Sequence, residues 1–170
     1  MKTFAPAALP PPTWLRTRAS GGRLPARTDL APAQPRAQIS AAELCAMREA
    51  DLRRALGRLS ETGTVVRVGQ YSLVGPRQNP ADRLADAQAV IHRRRWTTTI
   101  TTFDDAEAGD PALRPQLARL FTALDAGEIH GIVAVHQTDI SPFPDIYACT
   151  LTILRARRGF LALARNESSI

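Results

Sequence analysis

The chain has 170 residues, a formal net charge of +6 and a sequence pI near 10.5. That length suits one domain of ordinary size or two small ones. The longest apolar runs are too short to span a bilayer, and the N-terminus lacks the apolar core and cleavage site of a signal peptide. The two cysteines, Cys45 and Cys149, lie far apart, which argues against both a disulfide framework and a Cys-based zinc site. A cytoplasmic protein with no membrane partner is expected.

The positive charge is unevenly spread. Residues 1–80 hold 12 Arg/Lys against 5 Asp/Glu, and residues 81–170 hold 10 against 11. Every cation except Lys2 is an arginine. A basic first half beside a balanced second half implies that the first meets a polyanion, and points to a nucleoid-associated protein.

Residues 1–37 contain seven of the thirteen prolines, with Pro10, Pro11 and Pro12 consecutive, and show no sustained periodicity. They bury too little apolar surface to offset ordering entropy, so a disordered Pro/Arg-rich arm is expected.

Residues 38–75 carry stronger signals. Ser40 and Glu43 form a Ser-x-x-Glu capping box, which predicts a short helix over Ala41–Met47. A second helix is predicted from Glu49, with Leu52, Leu56 and Leu59 on one apolar stripe and Gly63 as its stop. Two β-rich runs follow, 64–68 and 71–74, separated by Gly69-Gln70, a type II′ hairpin signal. This order of helix, helix and hairpin resembles the winged helix-turn-helix module of transcription regulators. The resemblance implies a winged-helix-like α+β segment over 38–75 that binds double-stranded DNA in transcription regulation. Arg48, Arg53 and Arg54 would face the major groove, and Arg58 and Arg67 would meet phosphate.

Residues 76–170 alternate helix and strand. Helical patterns cover 82–94, 114–126 and 145–158, and strand patterns cover 97–103, 129–136 and 160–164. Ile132-Val133-Ala134-Val135 is short and continuously apolar, the mark of a strand buried on both faces. The fold class expected is α/β, a small parallel sheet with flanking helices.

The stretch from Asp104 to Ser141, followed by a helix and Arg158-Gly159-Phe160-Leu161-Ala162-Leu163-Ala164, resembles the N-terminal catalytic domain of serine recombinases, the resolvases and invertases. That resemblance implies a resolvase-like domain over 76–170, with a homodimer or a recombinase as partner. It also implies lost chemistry. The family's nucleophilic serine corresponds to Gly75, its neighbouring phosphate-clamping arginine to Leu73, and two further arginines to Ile140 and Phe143. Arg114 and Asp139 are retained. A phosphoryl-transfer site without nucleophile and cations cannot stabilise its transition state, so no catalytic activity is expected.

Other chemistry is sparse. His92, His130 and His136 lack metal-ligand spacing, and Asp104-Asp105-Ala106-Glu107 reads as a solvated turn. No P-loop or dinucleotide fingerprint occurs, so neither metal nor cofactor is expected. The two resemblances compete for residues 71–74, and the Gly69-Gln70 signal favours the wing. The leading expectation is a non-catalytic, regulatory DNA-binding protein with a recombinase-like interaction domain. Two alternatives stay open: a scaffold that binds a recombinase or itself without touching DNA, and a recombinase whose nucleophile is Ser72 or Ser141.

Overall fold

The structure, a computed structural model, describes residues 39–106 and 114–167. The arm expected over 1–37 lies outside the described residues.

Helix α1 (Ala41–Glu61) opens at the expected capping box. The Ser40 hydroxyl accepts the Glu43 N–H at 3.2 Å, and the Glu43 carboxylate accepts the Ser40 N–H at 2.8 Å. The helix then runs unbroken for 21 residues, where two helices and a turn were expected. The cause is Arg48. It lies on the inner face between Leu44 and Leu52, and its guanidinium is buried against the Glu167 carboxylate. A buried, paired cation interrupts the apolar period without interrupting the helix. Gly63 ends the segment at φ +62°.

Strand β1 (Arg67–Val74) overturns the winged-helix reading. It is one continuous strand that pairs in parallel with β2 (Thr97–Asp105) and β3 (Gly131–Ala134). β4 (Phe160–Leu163) completes an all-parallel sheet in the order β2-β1-β3-β4. Gly69 serves close packing here and not a turn: a Cβ at that position would lie 2.6 Å from a Leu120 methyl. The sheet also runs across the boundary expected at residue 75, because β1 before it pairs with β2 and β3 after it.

Helices α2 (Pro80–Arg94), α3 (Pro115–Asp125), the short α4 (Gln137–Ile140) and α5 (Pro144–Ala156) link the strands. α3 and α5 pack with Tyr71, Ile132 and Leu161, while α2 packs with Val68, Val133 and Phe160 on the other face. Ile132 and Val133 therefore point into separate cores, as their unbroken apolar run predicts. α1 lies along β4 and contributes to both cores, through Leu44 on one side and Leu52 and Ala55 on the other. One edge of the sheet is covered in this way.

Candidate functional site

Connections leave β1 and β3 toward opposite edges of the sheet, which makes the carboxyl end of that strand pair a topological switch point. Open α/β sheets bind ligands at such points. Asp139 closes it. Its Oδ1 accepts the Leu73 N–H at 3.2 Å and its Oδ2 accepts those of Val135 and His136 at 3.1 and 2.8 Å. Arg83 from α2 adds a salt bridge to Oδ1, and Asp139 is only 1% exposed.

Two further buried polar residues complete the edge. Asp104 accepts the Tyr71 hydroxyl at 3.1 Å and the Gln116 and Leu117 N–H groups at 3.1 and 3.0 Å. It thereby holds the start of α3. Burial, and then the adjacent Asp104 carboxylate, push the Tyr71 hydroxyl far above its ordinary range, so it stays protonated. Arg114 donates to the backbone carbonyls of Asp139 and Ile140 at 2.7 and 3.1 Å. Asp104, Arg114 and Asp139 thus tie loops together from within.

At the positions singled out by the recombinase resemblance, Gly75 follows the last residue of β1 and its N–H is held by the Gln78 side chain at 3.0 Å. A Cβ at residue 75 would meet only that side chain, at 3.4 Å. Leu73 is half-buried, Ile140 is buried and Phe143 is exposed. A cavity of about 240 Å³ lies between Val74, Pro76, Asp105 and Ala106. The serines considered as alternative nucleophiles are sealed. Ser72 is fully buried with its hydroxyl unpartnered, and buried Ser141 accepts the Phe143 N–H at 3.1 Å. Among the described residues no three His, Cys, Asp or Glu side chains gather as a metal site.

The predicted DNA-binding arginines fare differently from one another. Arg48 is buried and ion-paired, so it does not face a groove. Burial by itself would lower its pKa, but the Glu167 carboxylate more than reverses this and keeps it charged. Arg53 and Arg54 are exposed on α1, the latter paired with Asp51. Arg58 donates to the Arg158 carbonyl at 2.9 Å, and Arg67 donates to the Gly127 carbonyl at 2.7 Å.

These last two hydrogen bonds mark a surface that dividing the charge by sequence halves conceals. A cleft of about 470 Å³ is lined by Arg58, Arg157, Arg158 and His130, among others. It sits at the amino end of the sheet, opposite the switch point. The His130 Nδ1 accepts the Arg67 N–H at 3.1 Å, and burial followed by the Arg67 charge lowers its pKa, which favours the neutral ring. Arg157 and Arg158 come from the charge-balanced half of the sequence, where no binding residue was expected.

Compared by sequence, the chain matches no protein-family model and no curated protein. Its fold is that of serine recombinase catalytic domains. The N-terminal catalytic domain of TP901-1 integrase superposes with a TM-score of 0.51 at 13% identity, covering 58% of this chain and 76% of that one. The C-terminal catalytic domain of ISC1926 TnpA, an IS607-like serine recombinase, superposes with a TM-score of 0.53 at 12% identity, covering 62% and 71%. Both similar structures are catalytic domains of enzymes, which overturns the expectation that this chain has no activity of its own. Among the described residues no helix is long and apolar enough to cross a membrane.

Proposed function

We propose that the chain is a recombinase-like domain that engages duplex DNA through the arginine surface at the amino end of its sheet. The observation that carries this reading is the hydrogen bond of Arg58 to the Arg158 carbonyl, 100 residues apart in sequence. It makes the α1 arginines and those after α5 one surface. Part of that charge answers to the fold, because α1, α3 and α5 all end here and helix carboxyl ends carry partial negative charge. A guanidinium has five N–H donors, however, and Arg58 and Arg67 each commit one nitrogen to a carbonyl. The remaining donors suit phosphate oxygens.

Fluorescence anisotropy with labelled duplex tests the proposal. Affinity should fall steeply as salt rises, because bound arginines release counterions from the duplex. Absence of binding to any duplex at low salt overturns it.

The similarity to catalytic domains supports a second reading, in which the chain takes part in phosphodiester chemistry. Ser72 and Ser141 are sealed, so neither is the nucleophile in this conformation, and the source is another group of this chain or another chain. Supercoiled plasmid separates these sources. Nicking by the chain alone assigns the nucleophile to it, and nicking only beside an active recombinase assigns it to the partner.

A further inference from the structure

The two edges of the sheet are treated differently. α1 lies along β4, but among the described residues nothing pairs with the outer edge of β2. An exposed edge strand presents unpaired N–H and C=O groups and invites another strand. β2 is nine residues long, contains no proline, lysine or arginine, and is rich in β-branched threonine. Its one irregularity is a bulge near Thr99, where the register with β1 shifts. Downstream of it, Ile100–Asp105 pairs regularly with Gly69–Val74. The strand is also bare on one face. Phe103 is 42% exposed and Thr101 is exposed, because α2 packs over β1 and leaves β2 largely uncovered.

Charge along this edge is polarised. Arg93, Arg94 and Arg95 stand exposed immediately before the strand, and exposed Asp105 ends it. Arg94 lies over the Trp96 ring, 5.3 Å from its centre, while Arg93 and Arg95 make no ion pair among the described residues. Among the same residues Asp105 makes none either. Such an edge is complementary to itself only when reversed. A parallel neighbour would set arginine against arginine, which is unfavourable. An antiparallel copy sets the arginine end of each strand against the Asp105 end of the other, twice, as a two-fold axis requires.

We propose that the outer edge of β2 is a self-association surface, where a second copy of this chain pairs antiparallel, β2 against β2, to form a continuous eight-stranded sheet. Exposed Phe103 gains a cross-strand neighbour on its face in that pairing, and the arginines before each strand meet Asp105 of the other copy. This inference goes beyond the DNA-binding proposal and does not depend on it.

The test uses the full chain without DNA. Sedimentation equilibrium over a range of concentrations should give a dimer. Arg95→Glu and Asp105→Arg should each weaken dimerisation by roughly tenfold, since each breaks two symmetry-related charge pairs. The double variant Arg95→Glu/Asp105→Arg should recover most of that loss by exchanging the charges. Circular dichroism verifies that each variant is folded, and Phe103→Lys, a second route to the same surface, should also weaken the dimer. A monomer at every concentration overturns the proposal. So does a dimer indifferent to these substitutions, or a double variant no better than the single ones.

Discussion

Arg58 and Arg158 meet at the amino end of the sheet, the side chain of the first donating to the carbonyl of the second at 2.9 Å. Arg158 is held there at φ +57°, a left-handed conformation in which a non-glycine residue is uncommon. The helix that carries Arg53 and Arg54 therefore ends against the turn that carries Arg157 and Arg158. Charge divided by sequence halves and charge divided by surface give different answers, and the proposed DNA contact depends on the surface.

The first prediction follows. Replacing Arg53, Arg54 and Arg58 with Gln should flatten the salt dependence of DNA binding by roughly one unit for each phosphate that is no longer neutralised. Replacing Arg155, Arg157 and Arg158 should flatten it comparably. Arg77, Arg119 and Arg165 lie after β1, within α3 and after β4, away from the amino-end cleft, so the same replacement there should change it little. Anisotropy titrations across a series of salt concentrations measure all three slopes. Equal losses from the three sets would mean that binding follows net charge alone.

The helix and strand periods along residues 80–164 were legible because each element buries a simple apolar face. Asn79 and Pro80 begin α2, Pro115 begins α3 and Pro144 begins α5, each with proline in the first turn. Two signals misled. Arg48 occupies a core position, so its charge reads as a helix break and a groove contact when it is neither. Gly69 reads as a turn because sequence does not reveal that Leu120 approaches from 51 residues away. The arginine cleft was hidden for the same reason: its residues come from three separate segments.

Glycines at two strand ends should respond to very different degrees. A Cβ at Gly131 would lie 2.5–2.6 Å from ring carbons of Phe160, a ring that also packs on Trp96 at 5.2 Å. Gly131→Ala must displace that pair and should cost about 1–3 kcal/mol, the usual range for overpacking a core. Gly75→Ser meets only the Gln78 side chain and should change stability by less than about 0.5 kcal/mol. Urea denaturation of both variants compares them directly, and a Gly75→Ser variant as unstable as Gly131→Ala would contradict the geometry.

Acid should weaken the fold through Glu167. Burial raises the pKa of this carboxyl, but hydrogen bonds from Arg48, the backbone and the Tyr147 hydroxyl outweigh it and bring it below the ordinary value of 4.5. A carboxyl depressed on folding contributes stability that is present above its unfolded pKa and lost as pH falls through its folded one. Stability should therefore decline from about pH 4.5 downward, more steeply than in Glu167→Gln. His130 and His136 add to this from about pH 6.5, since burial lowers both and their neutral forms are the folded ones. Arg48→Met should cost about 3 kcal/mol at neutral pH, because it leaves the Glu167 carboxylate buried without its cation. Urea midpoints measured from acid to neutral pH follow these effects. An Arg48→Met variant with unchanged acid sensitivity would show that the pair does not set the acid limit.

Asp139 is the strongest single test of the switch point. Its two oxygens divide their work: Oδ1 holds Leu73 of β1 and Arg83 of α2, and Oδ2 holds Val135 and His136 after β3. Asp139→Ala strands three backbone N–H groups and the Arg83 guanidinium near a closed edge. The cost should be about 3–5 kcal/mol, the range for breaking a buried pair from one side. Asp139→Asn keeps the shape but only one acceptor oxygen, so either amide orientation turns its NH2 toward one donor pair. It should fall between wild type and Ala, at about 2 kcal/mol. Arg83→Met should cost less than either, because Asp139 keeps all three backbone donors. Loss of stability in the order Ala, Asn, then Arg83→Met supports Asp139 as the clasp between β1 and β3. An Asn variant as stable as wild type would mean that the carboxylate is not shared in this way.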